Sequence, residues 1–409
     1  MTERLYYDDS LLIRFDATVR EAGVIGDRPF AVLDRTAFYP TSGGQPFDVG
    51  VLGGRGVVEV IDRDDDGAVQ HVLNGPLEPG TSVSGEIDWP RRLDHMQQHT
   101  GQHVLSAAFV RSAGARTVSF HLGAELSTID LAATVDAEGI RAAEDEANRV
   151  VWENRDVRVR YVSDEEAAAL PLRKEPARKG MLRVVEIDAV DLSACGGTHV
   201  PRTGVIGTIA VHSWERYKGG TRVSFACGGR VLAHFRAYRD VIGAAVRQLS
   251  IQPSELPLAV ARLQSETKEL RVHVRVLSEQ LAAYQADALV RGVRDLDGTF
   301  LVCEVVEGRD AAGLKSLAQA VVSRPKHAAV LIGAAQPLIV VATRAADATL
   351  DAAGLVRALV ARFGGKGGGR PDSAQAGGLS GDPAVVRQAA LDFCHGGTER
   401  TEQGGPQRH

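Results

Sequence analysis

The sequence predicts a multidomain α+β protein: a small N-terminal β-barrel, an α+β domain, a helical coiled-coil connector and a C-terminal α/β domain. Three observations carry this expectation. Helical periodicity is missing from the first 90 residues and begins at Trp89-Pro90. Histidines and a cysteine at metal-binding spacing occupy the middle of the chain. A polar stretch with apolar residues seven apart then leads into alternating strands and helices. At roughly 100–200 residues per domain, a chain of 409 residues should hold two to four compact units.

Residues 1–90 contain short β-forming runs (LLIRFDATV, PFAVLDRTAFY, GVVEVIDR, AVQHVLNG, SVSGEID) broken by Gly, Asp and Pro, with a hairpin turn at 63–67. This is the pattern of a small barrel. Residues 91–228 read as one α+β domain. Leu93, Met96, His103, Val104 and Ala107 recur every three or four positions and predict a helix from 91 to about 112. Strands follow near 115–122 and 126–132, then an amphipathic helix near 136–154. Ser163 and Glu166 have capping-box spacing ahead of a short helix, and LRVVEID, GVIGTIAVHSW and TRVSFAC are further strands. Residues 229–295 form a helical linker. Within it, over 257–291, Leu263, Leu270, Leu277 and Tyr284 stand seven apart. That spacing suits a homodimeric coiled coil, and equally a lone connector packed on a neighbour. Residues 296–395 alternate strands and helices around a glycine loop at 364–369, and residues 396–409 should be a disordered tail.

A net charge of −5 excludes a uniformly basic nucleic-acid coat, though not a confined basic patch. Four cysteines are too few for a disulfide framework and point to a reducing compartment. The N-terminus lacks the layout of a signal peptide. The longest apolar stretch, 328–343, is interrupted by Gln336-Pro337 and falls short of the roughly 20 residues a bilayer needs. The expectation is a cytoplasmic protein with no membrane role.

His99 and His103 stand at i and i+4 on the predicted helix, so both imidazoles share one face. Cys195-Gly196-Gly197-Thr198-His199 adds a thiolate and a third imidazole from a glycine-bent loop. Three imidazoles and a thiolate are the borderline-soft donors that one Zn2+ prefers. A closed set of four protein ligands is also how a purely structural zinc pins a helix to a loop. His95, one turn earlier, is a partner of the site or an ordinary helix-face histidine. Cys227, Cys303 and Cys394 lack ligand-spaced partners and read as buried thiols.

The segment His95-Met96-Gln97-Gln98-His99-Thr100-Gly101-Gln102-His103, with Cys195-Gly196-Gly197-Thr198-His199 downstream, resembles the editing domain of alanyl-tRNA synthetases and their free-standing AlaX relatives. The run TAFYPTSGGQPFD at 36–48 is similar to that family's barrel motif, and GGKGGGRPDSAQAGG at 364–378 to the glycine signature of a DHHA1-type domain. The four motifs occur in family order along nearly the whole chain. Residue 1 begins at the barrel, so the resemblance implies a long-form AlaX protein acting in trans. The Asp-His-His motif of DHH phosphoesterases is missing, which sets that chemistry aside.

What the resemblance implies is hydrolysis of the ester joining a wrong amino acid, chiefly serine and also glycine, to tRNA(Ala). An alanine pocket cannot exclude glycine by size, and an added hydroxyl is rejected only about 10²-fold, so a second, hydrolytic site is the remedy. Thr36 is the candidate partner of the serine hydroxyl, or a strand threonine packed by its methyl. Gln45 would orient water or the tRNA terminus, or stabilise its turn. Ser119 and His121 line the pocket or face solvent. Zinc would polarise the ester, activate water or only hold substrate. Candidate phosphate contacts are Arg173, Lys174, Arg178, Lys179, Arg216, Lys218 and Arg222, with Lys366 and Arg370 in the glycine run. The alternative function is a non-catalytic tRNA-binding protein with a structural zinc.

Overall fold

The computed structural model describes residues 1–63, 65–173 and 180–396. The chain divides into two compact units between Gln248 and Leu249. Lys174, Arg178, Lys179 and the expected tail beyond 396 lie outside the described residues.

In the first unit six strands pair in a closed circuit: β1 (Arg14–Ile25), β2 (Arg28–Leu33), β3 (Gly50–Leu52), β4 (Arg55–Arg63), β5 (Ala68–Leu73) and β6 (Ser82–Ile87). Their order is β1-β2-β5-β4-β3-β6, and β6 returns to β1 with Gly85 opposite Phe15. Alternation does the sorting. In β6, Val83, Gly85 and Ile87 are buried while Ser82, Ser84 and Glu86 face out. Gly85 is required there, because a Cβ would sit 2.4 Å from the Phe15 ring.

Asp88 caps α1 (Trp89–Ala113) by accepting from Arg91 N–H, and Gly114 ends it in the left-handed conformation (φ 61°). The helix is buried on nearly all sides from Gln98 to Phe109. It packs on β7 (Thr117–Leu122), β8 (Ser127–Leu131) and α2 (Ala137–Trp152). Next come β9 (Val157–Val162), α3 (Asp164–Ala169) with the expected reciprocal Ser163–Glu166 capping box, β10 (Leu182–Ile187) and β11 (Asp191–Ala194). The hairpin β12 (Ile209–Tyr217) and β13 (Gly220–Cys227) completes a sheet of order β12-β13-β8-β7, beside the smaller β9-β10-β11. Met96, Leu105 and Phe109 of α1 share one core with Ile140 and Val150 of α2 and with Ile129, Val223 and Phe225 of the sheet. Gly101 leaves room for Cys227, whose sulfur would lie 2.3 Å from a Cβ there. Helix α4 (Gly229–Leu249) follows.

Across the first unit, Arg92 of α1 reaches back to Asp48. Both side chains are essentially inaccessible, at 1% and 0%. The guanidinium also donates to Ser10 O (2.8 Å) and Ala37 O (2.6 Å), and Asp48 accepts from Tyr39 N–H at 2.7 Å. This buried cluster locks the segment 36–48 onto the helix that carries His99 and His103.

The second unit opens with α5 (Leu256–Val290). Leu263, Leu270, Leu277 and Tyr284 are exposed, and Ala282 and Ala286 form its packing face near the end. Then come β14 (Arg294–Leu296), β15 (Thr299–Val306), α6 (Ala311–Val322), β16 (His327–Gly333), β17 (Leu338–Arg344), α7 (Ala352–Phe363), β18 (Lys366–Arg370), β19 (Ser373–Leu379) and α8 (Pro383–Gly396). The sheet order is β14-β15-β16-β17-β19-β18. Successive residues alternate between its faces. Val302, Leu331 and Val341 meet α5 and α6, whereas Cys303, Val330 and Val340 meet α7 and α8. Within this sheet, among the described residues, β15–β16 is the one parallel pair; β16 and β17 are joined too closely for a helical crossover and run antiparallel.

The glycine run corrects the expected loop: it is the edge strand β18, paired antiparallel with β19. At Gly367 a Cβ would lie 2.5 Å from that of Ala376, so the close approach of the two strands depends on glycine.

Candidate metal centre

Four side chains converge in the first unit. Helix α1 presents His99 and His103 one turn apart, their ring centroids separated by 5.4 Å. The loop after β11 brings Cys195 and His199 against them, with His199 4.6 Å from the His99 ring and 4.9 Å from that of His103. One donor atom from each of the four lies within 4.8 Å of the others. Cys195 Sγ stands 3.3 Å from both His99 Nε2 and His199 Nε2. A zinc tetrahedron with one thiolate and imidazole nitrogens has edges of about 3.5 Å, so the donor set fits that ion.

Each imidazole is oriented through its other nitrogen. His99 Nδ1 meets Gln45 Oε1 at 2.8 Å, His103 Nδ1 meets Asp191 Oδ2 at 2.7 Å, and His199 Nδ1 meets Thr100 Oγ1 at 3.1 Å. With Nδ1 occupied, Nε2 is left to the cluster, the arrangement that fixes tautomer and ring direction at metal sites. Gln45 also accepts from Thr198 N–H (3.1 Å) and donates to Thr198 Oγ1 (2.8 Å), so it ties the helix histidine to the loop. Gly197 admits the His99 ring: a Cβ would lie 2.1 Å from its Cε1. Arg183 steadies the same loop by donating to Cys195 O (2.7 Å) and Gly197 O (3.0 Å).

The electrostatics favour a ligating thiolate. Burial alone would push the Cys195 thiol up, but the charges of His99 and His199 and hydrogen bonds from His103 and His199 hold it well below its ordinary value. Burial opposes charge on His103, yet its hydrogen bonds to Asp191 and Cys195 raise it to about 9. His199 is lowered to about 3, chiefly by burial. Asp191 stays ionised despite burial because His103 and Arg173 both bond it. For a metal held by this cluster, Asp191→Asn should weaken binding roughly 10- to 100-fold, measured against a competing chelator. Unchanged affinity would remove Asp191 from this role.

Beside the cluster lies a cavity of about 330 Å³, lined by His99, His103 and Cys195 together with Gln102, Ser119 and Phe120 among others. Of the residues singled out in the sequence, Ser119 is on this wall, with its hydroxyl 2.6 Å from Asp130. Thr36 and His121 are not among the lining residues. Thr36 is fully buried, its hydroxyl 2.8 Å from His71 Nε2 and accepting from Phe38 N–H at 3.1 Å. His95 is buried but outside the donor cluster, and burial lowers it to about 4. Arg173, expected at a phosphate, is part of the wall and pairs with Asp191. Arg222 is committed as well, bidentate to Asp130 (2.7 and 2.9 Å) and 3.6 Å over the Tyr217 ring. Arg370 is 3.6 Å from Asp372, while Arg216, Lys218 and Lys366 are exposed. Sequence reasoning missed Asp191, which stands in a strand with no motif around it. It also passed over Thr100, Gln102 and Thr198, which lie inside the two metal motifs.

Three family descriptions match the chain. Residues 2–91 match tRNA synthetases class II (A), residues 182–224 the threonyl and alanyl tRNA synthetase second additional domain, and residues 297–394 the DHHA1 domain. An alanine–tRNA ligase of Pyrococcus abyssi is 35% identical over 394 residues, covering 91% of this chain and 42% of that protein. One from Pyrococcus furiosus is 37% identical over 325 residues, 75% of this chain and 35% of that protein. The chain thus spans roughly two fifths of the ligases it matches. The alanyl-tRNA editing protein AlaX-L of Pyrococcus horikoshii is 29% identical over 405 residues, 96% of this chain and 98% of that protein. The chain belongs to the family that unites AlaX alanyl-tRNA editing proteins with the editing and DHHA1 portions of alanine–tRNA ligases.

Proposed function

We propose that the chain is an aminoacyl-tRNA hydrolase that removes serine, and glycine as well, from wrongly charged tRNA(Ala) in the cytoplasm, with one zinc ion held by His99, His103, Cys195 and His199. The observation that carries this reading is the convergence of three oriented imidazoles and a thiolate beside a cavity of about 330 Å³, three of the four, His99, His103 and Cys195, lining its wall. The relative named as an alanyl-tRNA editing protein supports the substrate class.

Hydrolysis adds water across the ester, returning the free amino acid and the terminal ribose hydroxyl. When bound, zinc supplies Lewis acidity to this reaction. The chain's own residues prepare the place. Gln45, Asp191 and Thr100 keep the imidazoles directed inward, so the donor set needs little reorganisation. Gly43, Gly196 and Gly197 leave bare backbone on the wall, where the terminal nucleotide can approach closely. Phe120, its ring 5.6 Å from that of His99, supplies an apolar part of that wall. The exposed Arg116 on the wall, Arg216 and Lys218 on the β12–β13 hairpin (Lys218 also 5.1 Å over the Tyr217 ring) and Lys366 on β18 are cations available to phosphates. The exposed stripe of α5 supports pairing with a second copy.

The test offers purified protein Ser-tRNA(Ala), Gly-tRNA(Ala) and Ala-tRNA(Ala). Serine should be released at least about 100-fold faster than alanine. Tight tRNA binding without deacylation would overturn this reading in favour of a tRNA-binding protein with a structural zinc.

A further inference from the structure

Gln102 stands between His99 and His103 on α1, is only 2% exposed, and lines the cavity. Its Nε2 donates to Ser106 Oγ at 2.8 Å, and Thr117 Oγ1 holds Ser106 in turn at 2.7 Å. Its Oε1 has no partner among the described residues. The other buried polar atoms in that state, His95 Nδ1, Ser127 Oγ and Arg183 Nη2, belong to residues that do not line the cavity. A buried acceptor left unpaired is costly, and one on a residue that lines a cavity is explained when a ligand there completes it.

Building on the hydrolase reading above, we propose that Gln102 determines which amino acid the site accepts, its free amide end pairing with the side-chain hydroxyl of a short β-hydroxy aminoacyl group. The chemistry selects the hydroxyl over the substrate's ammonium. A buried ammonium calls for a carboxylate, and the buried carboxylate nearby, Asp191, is committed to His103, Arg173 and Ser193. A neutral amide suits a neutral hydroxyl, which both donates and accepts and therefore meets the amide in either orientation. Alanine offers a methyl group and leaves the amide unpaired with water displaced, whereas glycine has no side chain and leaves room for a water to meet the amide. A site can thereby prefer the larger serine to the smaller alanine, which shape alone does not achieve. Thr36, the sequence candidate for this partner, spends its hydroxyl on His71 and the Phe38 N–H.

The test measures binding of two non-hydrolysable probes, the 3′-seryl-amide and 3′-alanyl-amide analogues of adenosine, to the zinc-loaded full chain by calorimetry. Bound zinc is quantified on the same samples. Wild type should bind the seryl probe at least about tenfold more tightly than the alanyl probe. Gln102→Leu should bring the ratio to about one, and Gln102→Glu, which keeps an acceptor, should retain part of it. If Gln102→Leu loses zinc, Ser106→Ala carries the test: the amide loses its anchor and the ratio should fall with zinc retained. A wild-type ratio of one, or a preference that persists in these variants, overturns the proposal. A seryl preference in a protein that leaves Ser-tRNA(Ala) intact would sink the hydrolase reading and leave this inference standing.

Discussion

Arg92→Met should lower the unfolding free energy of the first unit by about 3–5 kcal/mol, the penalty for stranding one member of a buried ion pair. Methionine matches the length of the arginine stem but donates nothing. Asp48, at 0% exposure, is then left with the Tyr39 N–H to meet its side chain, and the carbonyls of Ser10 and Ala37 lose their donor. At about 2 kcal/mol per molar urea, the midpoint should fall by roughly 1.5–2.5 M. Because the pair ties segment 36–48 to α1, Gln45 should lose its grip on His99 at lower denaturant than global unfolding requires. A midpoint within about 0.3 M of wild type would show that this cluster does not hold the two parts together.

Gly197→Ala should abolish stable metal binding. The added Cβ would lie 2.1 Å from His99 Cε1, 2.3 Å from its Nδ1 and 3.1 Å from Gln45 Oε1. Real carbon contacts need well over an ångström more, so either the His99 ring or the loop carrying Cys195 and His199 must move. Both movements spoil the donor set. The loss should exceed the roughly 10- to 100-fold carried by outer-shell partners, and zinc per chain after dialysis should fall towards zero. The neighbouring Gly196→Ala is the control: its Cβ meets only Tyr7, Oη at 3.6 Å and Cε1 at 3.8 Å, ordinary contact, and should keep its zinc. Full zinc retention in Gly197→Ala would contradict the close packing of loop and ring.

Both substitutions act on contacts that no local pattern in the sequence announces. The convergence of His99, His103, Cys195 and His199 was legible because a metal-binding set would write itself as spacing: i and i+4 on one helix face, and a glycine-bent loop at the other end of the cluster. Their orienting partners were not. Asp191 precedes Cys195 by four positions in a strand and meets His103 across 88 residues, a relation only the tertiary fold creates. Gln45 was noticed for its motif, but its amide serves His99 and Thr198. The helices α1, α2 and α5 were readable from caps and periodicity. Strand β18 was not, since glycines carry no alternating pattern and their extended shape comes from pairing with β19. Thr36 and Gln102 show the same limit at the cavity. A motif draws attention to a threonine whose hydroxyl the fold has already used, whereas the amide with a free end stands between two ligands.

Stepwise addition of zinc to metal-free protein, while serine release from Ser-tRNA(Ala) is followed, tests the central claim most directly. The account predicts a rate that climbs linearly and levels at one equivalent per chain, with Ala-tRNA(Ala) left largely intact throughout. Serine release that is already complete without metal, or that stays absent at full zinc occupancy, would contradict it.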